Sequence, residues 1–332
     1  MASRVTHSPV GVQGSRISLR RLLGAQESGL LIANVVLFAV LGVTAPGFLT
    51  GQNFRSTAEL AAYTGIMSAV ETLVLISGGL DLSVGSVAVL SGQAGAIALN
   101  DGWSTAAAIC AVLALGVGVG IVNSAFVVGL GINPLIATIG TGFVFRGIAQ
   151  SWTSGNSTAL ANQTVLNFGS AIWYGVPEGC WLMLATFLVV WLIFRYTRFG
   201  SNLFAIGSSL RAARRSGLAV RRIQSMAYIL SGMAASFAGL VLIGFQGVSI
   251  PFASMGIELT VLTAVILGGT GLAGGTGSVF GTLLGVILLA GLASGLLELS
   301  APSYWQLITT GLVLAVAMTI DDVRRRRREM RG

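Results

Sequence analysis

Apolar residues in this chain gather in long blocks separated by short polar or glycine-rich breaks. A helix needs roughly 20 mainly apolar residues to cross a bilayer. Ten blocks approach that length. The first four are Gly29–Thr44, Thr57–Gly78, Val84–Leu99 and Ser104–Leu130. The fifth starts after Asn133-Pro134 and ends near Gln150, and the sixth is Cys180–Phe194. The last four are Ile223–Phe245, Leu259–Leu267, Val279–Leu297 and Trp305–Ile320. The third and eighth are short, which suits a broken or re-entrant helix. The pattern predicts an all-α polytopic membrane protein with about ten transmembrane helices.

Charge tests that count. Arginines cluster in the N-terminal tail (Arg4, Arg16, Arg20, Arg21), in the loop 196–222, and in the C-terminal tail (Arg324 to Arg328, Arg331). Basic residues collect on the cytoplasmic side of membrane proteins. With the first tail inside, six spans bring the loop inside and four more bring the second tail inside. Both termini are then cytoplasmic, and the longest Arg-free polar stretch, Ser151–Gly179, falls outside. The expected divisions are a tail at 1–28, a membrane domain at 29–320 and a basic tail at 321–332. The N-terminal tail lacks a short apolar core with a small-residue cleavage site, so it does not read as a secretory signal.

Composition agrees. Hydrophobic residues are 54% of the chain, charged residues 9%, and mean hydropathy is +0.85. A soluble domain carries about 25% charged residues. The net charge of +8 is explained by the membrane-side clusters and does not indicate nucleic acid. All 19 basic residues are arginine. Without lysine there is neither a Walker A phosphate loop nor a Schiff base. The sole histidine, His7, lies in the tail, so metal sites and triads built on histidine have no candidate. Cys110 and Cys180 read as small core residues. No catalytic residue, metal site or cofactor is expected on this chain.

Glycine, at 46 residues, recurs at helical spacing in Gly116/Gly120, Gly277/Gly281/Gly285 and Gly291/Gly295. Such ridges let helices pack closely in lipid. The run Ile76-Ser77-Gly78-Gly79-Leu80-Asp81-Leu82 is faintly echoed by Ile266-Leu267-Gly268-Gly269-Thr270-Gly271-Leu272. Gly269 to Gly274 also fits a dinucleotide-binding spacing, which requires a strand–turn–helix. Here it lies between two spans, so a glycine break between helices is expected.

Ionisable groups within spans are costly and are functional candidates by default. Glu71 lies mid-span, either in a solute path or as an interior group satisfied by a neighbour, with Arg146 as a possible partner. Asp81 followed by Ser83 suits a helix cap. Gln93, Asn123, Thr138, Thr141 and Gln150 are path or interhelical groups, and Phe143 and Phe145 could stack on a sugar face. In the loop 196–222, Ser208 or Ser209 can cap a short helix that ends before Gly217. Ala212 and Ala213 favour that helix, and Arg211, Arg214 and Arg215 make it basic. It suits docking of a partner.

Together these segments resemble the sugar-type ABC importer permeases of the ribose, xylose and galactose group. The resemblance rests on Ile76 to Ser86, with Gly78, Gly79, Asp81, Ser83 and Gly85. Asn133-Pro134 with Ile136-Ala137-Thr138 adds a second stretch, and Gly207 to Leu218 a third. Gly268, Gly269, Thr270, Leu272 to Gly275 and Gly277 add the last. It covers about residues 53–321. It implies a permease of the bacterial inner membrane that pairs with a second permease chain, identical or paralogous. It also implies a cytoplasmic P-loop ATPase holding ATP and magnesium, and a periplasmic sugar-binding protein. Ser208 to Gly217, including Ser216, would then contact the ATPase. Arg211 stands where related sequences often carry Glu, and Arg215 where they carry an aliphatic residue, so this docking surface is more basic. The alternatives are a permease for branched-chain amino acids or nucleosides, or a proton-coupled transporter using Glu71.

Overall fold

The computed structural model describes residues 25–169, 171–252 and 255–329. His7, the tail arginines Arg4, Arg16, Arg20 and Arg21, and Arg331 lie outside the described residues.

All ten apolar blocks are helical. They form α1 (Ala25–Thr44), α2 (Gly51–Ile76), α3 (Val84–Asn100), α4 (Thr105–Ser124) and α5 (Pro134–Trp152). A strand β1 (Thr158–Ala159), a short helix α6 (Gln163–Gly169), and strands β2 (Ile172–Trp173) and β3 (Val176–Pro177) follow. Then come α7 (Glu178–Tyr196), α8 (Arg198–Ser208), α9 (Leu210–Arg215) and α10 (Val220–Gln246). Strand β4 (Val248–Ser249), α11 (Ile257–Leu267), α12 (Val279–Glu298) and α13 (Tyr304–Glu329) complete the chain. Among the described residues, seven helices are long and apolar enough to cross a membrane: α1, α2, α4, α7, α10, α12 and α13. Helices α3 and α11 are the shorter apolar pair, as the short blocks foretold.

Local signals set the helix starts. Thr50, Ser104 and Ser278 each offer a side-chain oxygen to a free amide of the first turn, at 3.3, 3.3 and 3.1 Å. Asn133 does the same for Leu135 at 3.0 Å, with Pro134 in the first turn where no amide partner is needed. The fourth block ends differently from expectation. After Ser124 it widens into a π-turn, Ala125–Gly129. The C-terminal helix also runs on past residue 320 as far as Glu329.

Burial separates the helices. In α2, 89% of the most apolar window is buried; in α13 only 6% is. Helix α2 is therefore the central pillar, surrounded by α7, α10, α11 and α12, while α10 also holds α3 and α4. The glycine ridges lie in these seams. A side chain at Gly120 would strike the Ile229 backbone of α10 at 2.5 Å, and one at Gly232 would reach Gly120 N at 2.9 Å. Gly281 and Gly285 face the backbone of Gly268 and Ala264, and Gly291 and Gly295 receive Phe38 and Leu41 of α1. Neither cysteine is paired. Cys180 is buried and donates to Ala58 O at 3.2 Å, but Cys110 is exposed on α4. The core reading of Cys110 was wrong, because its side of α4 has no neighbour within the chain.

One end of the bundle is closed by a two-stranded ribbon. Strands β1 and β4 pair antiparallel, Thr158 with Ser249 and Ala159 with Val248. The opposite end carries the two glycine turns and the pair α8–α9.

Candidate functional site

At the glycine end, α2 stops at Ile76 and the chain turns through Gly78 at φ +79°. The next segment folds back into the bundle, and its polar groups are satisfied internally. Glu71 is 1% exposed, and its carboxylate accepts the Asp81 amide at 2.9 Å. Asp81 accepts the Ser83 amide at 3.0 Å and the Ser83 hydroxyl at 2.6 Å. It also accepts Ser231 of α10 at 2.9 Å and Asn123 of α4 at 3.4 Å. Asn123 donates to Ser83 Oγ at 2.7 Å and accepts Thr141 Oγ1 of α5 at 2.6 Å. Thr138 accepts the Leu82 amide at 3.0 Å. One buried network thus ties the turn to α2, α4, α5 and α10. The expected cap of α3 is not formed: Asp81 holds the amide of Ser83, which precedes the helix, and Ser83, at the cap position, makes no side-chain cap bond itself.

The structure therefore brings together Glu71, Asp81, Ser83, Asn123, Thr138 and Thr141. Gln93 stands apart. Its amide joins α3 to the ribbon, donating to Thr158 Oγ1 and accepting Ser249 Oγ at 2.8 Å. Phe145 is buried in the core, whereas Phe143 is 73% exposed on α5. Gln150 is half-buried near the end of α5. The partner suggested for Glu71 needs correction. The ion pair of Arg146 is with Glu258 at 3.7 Å, because Arg146 projects over the first turn of α3 and away from α2. Sequence reading also missed Ser231 and Tyr228. Tyr228 accepts the Leu80 amide at 3.2 Å and donates to Leu80 O at 3.3 Å. Neither carries a local signal, since each acts on a residue far away in the chain.

The loop 196–222 folds as the helix pair. Thr197 caps α8 and Ser209 caps α9, its hydroxyl accepting the Ala212 amide at 3.3 Å. Ser208 is the last residue of α8. Gly217 follows α9 at φ +78°, a left-handed conformation suited to glycine. Ala213 is the buried anchor, packed with Ile206 and Val220. Leu210, Arg211, Ala212, Arg214, Arg215 and Ser216 are exposed. The seat of this unit is made of glycine. A side chain on Gly207 would collide with Ile76 O and the Gly275 amide. Gly275 N donates to Ile76 O at 2.9 Å. A side chain on Gly274, at φ +82°, would lie 2.9 Å from Gly78 Cα and 3.1 Å from Gly207 Cα. Three distant segments meet backbone to backbone. Beside them lies a groove of about 370 Å³, lined by Gly78, Gly79, Asn133, Arg214, Arg221 and Tyr228 among others.

Gly85 and Gly268 are close-approach positions too. A side chain at Gly85 would meet Ile257 at 2.5 Å, and one at Gly268 would collide with the backbone of Thr282, 2.6 Å from its Cα. Gly269 turns the chain at φ +97°. The dinucleotide spacing at 269–274 sits in this helix-to-helix turn, with no strand before it. Among the described residues no group of three or more histidine, cysteine or carboxylate side chains could hold a metal.

Comparison with known proteins places this geometry. The family described as "Branched-chain amino acid transport system / permease component" matches residues 53–318, which hold every feature above. The chain belongs to this permease family. A ribose import permease protein of Escherichia coli K12 is 35% identical over 94% of this chain and 98% of its own length. The ribose import permease protein of Bacillus subtilis is 33% identical over 89% and 92%. An L-arabinose ABC transporter permease protein of Azospirillum brasilense is 31% identical over 91% and 89%. No solved structure matches the chain. The permease is thus a transport component, and its place is the inner membrane.

Proposed function

We propose that this permease forms the membrane path of an ATP-driven importer for a monosaccharide. The relatives that carry sugar names align over nearly its whole length. The observation that carries the reading is the capped helix α9. Its basic face is exposed, while Gly207 beside it presses directly on both glycine turns. Force applied to α9 would pass into α2 and α12 through backbone contacts, with little flexible side chain to absorb it. That is the geometry needed to drive alternating access from outside the membrane.

In this reading ten helices span the bilayer, and both termini and α9 lie in the cytoplasm. A P-loop ATPase carrying ATP and magnesium docks on Ser208 to Gly217. A second permease chain completes the path, and a periplasmic binding protein delivers the solute opposite. The chain itself performs no covalent step.

The test is charge reversal of Arg214 and Arg215 to Glu. The variant is expected to reach the membrane in normal amount but to recover at least about tenfold less ATPase in an affinity pull-down, as expected when a close pair of opposite charges becomes like charges. Normal ATPase recovery overturns the docking assignment. The binding protein recovered with the wild type is then screened against pentoses, hexoses and branched-chain amino acids. The family description supports the last as a second reading; tight binding of leucine with no sugar binding would establish it. ATP-independent, ionophore-sensitive uptake would instead support the proton-coupled reading.

A further inference from the structure

The hairpin before α7 takes no part in the buried network, the ribbon or the docking element. Its strands β2 and β3 pair Ile172 with Pro177 and Trp173 with Val176. The two residues between them, Tyr174 and Gly175, both have positive φ, +52° and +81°. This two-residue turn matches the twist of a hairpin, and its ordinary occupants are asparagine, aspartate and glycine. A bulky tyrosine there is strained, yet its side chain is 96% exposed and fills no space in the core. Strain of this kind points to a role for the side chain outside the fold. Ile172 and Trp173 beside it are exposed as well. No residue from 147 to 177 is charged.

The hairpin leans on the flank of α7. Tyr174 and Trp181 meet edge to face, with ring centroids 6.5 Å apart and planes at 73°. Trp181 Nε1 donates to Trp173 O at 3.4 Å, and the Glu178 amide donates to Ala171 O at 3.0 Å. Trp181 begins an exposed stripe that continues along α7 through Leu184, Leu188 and Trp191. The opposite face, with Met183, Phe187 and Val190, is buried. At its other end the stripe meets a second aromatic pair, Trp191 and Tyr196, 5.9 Å apart at 85°. Arg195 lies over the Tyr196 ring. Helix α7 has 19 residues, a length of about 28 Å. The hydrocarbon core of a bilayer is about 30 Å thick. Aromatic pairs thus mark both ends of an apolar stripe of membrane length, as tryptophan and tyrosine do at the two membrane–water interfaces.

We infer that the β2–β3 hairpin is a membrane anchor, seating Trp173 and Tyr174 in the headgroup region of the bilayer on the ribbon side. Each ring offers an apolar body to the acyl boundary and a polar atom to headgroups and water. The absence of charge removes the penalty that an ionised group would meet there. The partner is lipid because the hairpin continues the stripe on the flank of α7, where a water-soluble protein does not approach. The consequence is positional. Helix α7 packs on the pillar α2 and leads through Thr197 into α8. Pinning its ribbon-side end gives the α8–α9 unit a fixed reference. The inference needs only that the chain spans a membrane, and it holds for any solute and any ATPase.

The test places one spin label on the full chain at Tyr174→Cys. Cys110→Ala removes the exposed thiol, and Cys180 is buried. The protein is reconstituted in vesicles of phosphatidylethanolamine and phosphatidylglycerol. Power saturation then reads the label's collisions with oxygen, which concentrates in lipid, and with a water-soluble nickel chelate. Asp101→Cys, in the exposed turn after α3, gives the aqueous reference. Leu188→Cys, midway along the stripe, gives the lipid reference. The expected oxygen-to-nickel ratio at 174 lies between the two, with nickel accessibility at most about half that at 101, as for a group at the headgroup–acyl boundary. A ratio equal to that at 101 overturns the inference. So does a label that is wet in vesicles and shielded only when the copurifying binding protein is added, which would make the hairpin a protein-docking surface. Spin–spin broadening between labels on two chains overturns it too, in favour of a second copy. A second measurement keeps the tyrosine in place. Fluorescence of the wild type is compared with Trp173→Phe in bilayers brominated near the headgroup or deep in the acyl chain. The Trp173 contribution should be quenched more by the shallow bromines; no quenching by either overturns the anchor.

Discussion

The turns after α2 and α11 begin alike and end unlike. In the first, Gly78 N bonds Leu75 O at 2.9 Å and Gly79 N bonds Val74 O at 3.0 Å. In the second, Gly269 N bonds Ile266 O at 2.9 Å and Thr270 N bonds Val265 O at 3.2 Å. Each also receives a glutamine from another helix, Gln224 on Ser77 O and Gln26 on Leu267 O. Beyond that point the first turn is fastened by Asp81 to α4 and α10, and by the Leu82 amide to Thr138 of α5. The second is longer, and it is held by backbone bonds, by glycine contacts with Gly78 and Gly207, and by Asp321 of α13 on the Leu272 amide at 3.3 Å. The same start serves two purposes. One turn is anchored to the core by side chains, and the other is a clasp held mainly by backbone contacts.

Breaking the anchor should have the largest effect. Asp81→Ala leaves buried donors from Ser83, Asn123 and Ser231 without their acceptor, at a cost of about 3 kcal/mol or more. The detergent-purified protein should melt many degrees lower or fail to accumulate. A melting point within about 2 °C of the wild type would show that the anchor is dispensable. Next comes the junction that joins the turns. Gly207→Ala should cost about 1–3 kcal/mol by overpacking, and it should slow uptake more than it lowers ATPase recovery in a pull-down. Equal loss of both would place Gly207 in assembly rather than transmission. Smallest is the clasp. Asp321→Ala removes one half-exposed bond and should shift stability by at most about 1 kcal/mol. A shift as large as that of Asp81→Ala would erase the contrast.

What the sequence disclosed and withheld follows from range. The ten apolar blocks were legible as helices because block length is local, and so was the cap at Ser209; the cap at Asn133 was read only as a boundary. The likeness of the two turns was visible as an echo, since Gly78 and Gly269 both need positive φ. The partners that distinguish the turns were not, because Ser231 lies 150 residues from Asp81 and Asp321 lies 49 from Leu272. Glu71 stood out as a mid-span charge, yet its bond is to a backbone amide ten residues on. Glu258 was passed over because it directly precedes an apolar block and read as a flank. Gly85 was legible as part of a motif, but its reason, the close approach of α11, needed the third dimension.

The β1–β4 ribbon has a consequence for biosynthesis. Gln93 and Thr158 are synthesised early, but Ser249, partner to both, follows α10. At 5–20 residues per second, its synthesis lags Thr158 by on the order of ten seconds. During that interval a side chain destined for full burial has only part of its hydrogen bonding met. The first half of the protein must therefore be held by water or by the insertion machinery until the second half arrives. The two halves are not independent modules, and a chain truncated before Ser249 would leave the membrane with an unfinished polar seam for quality control to find.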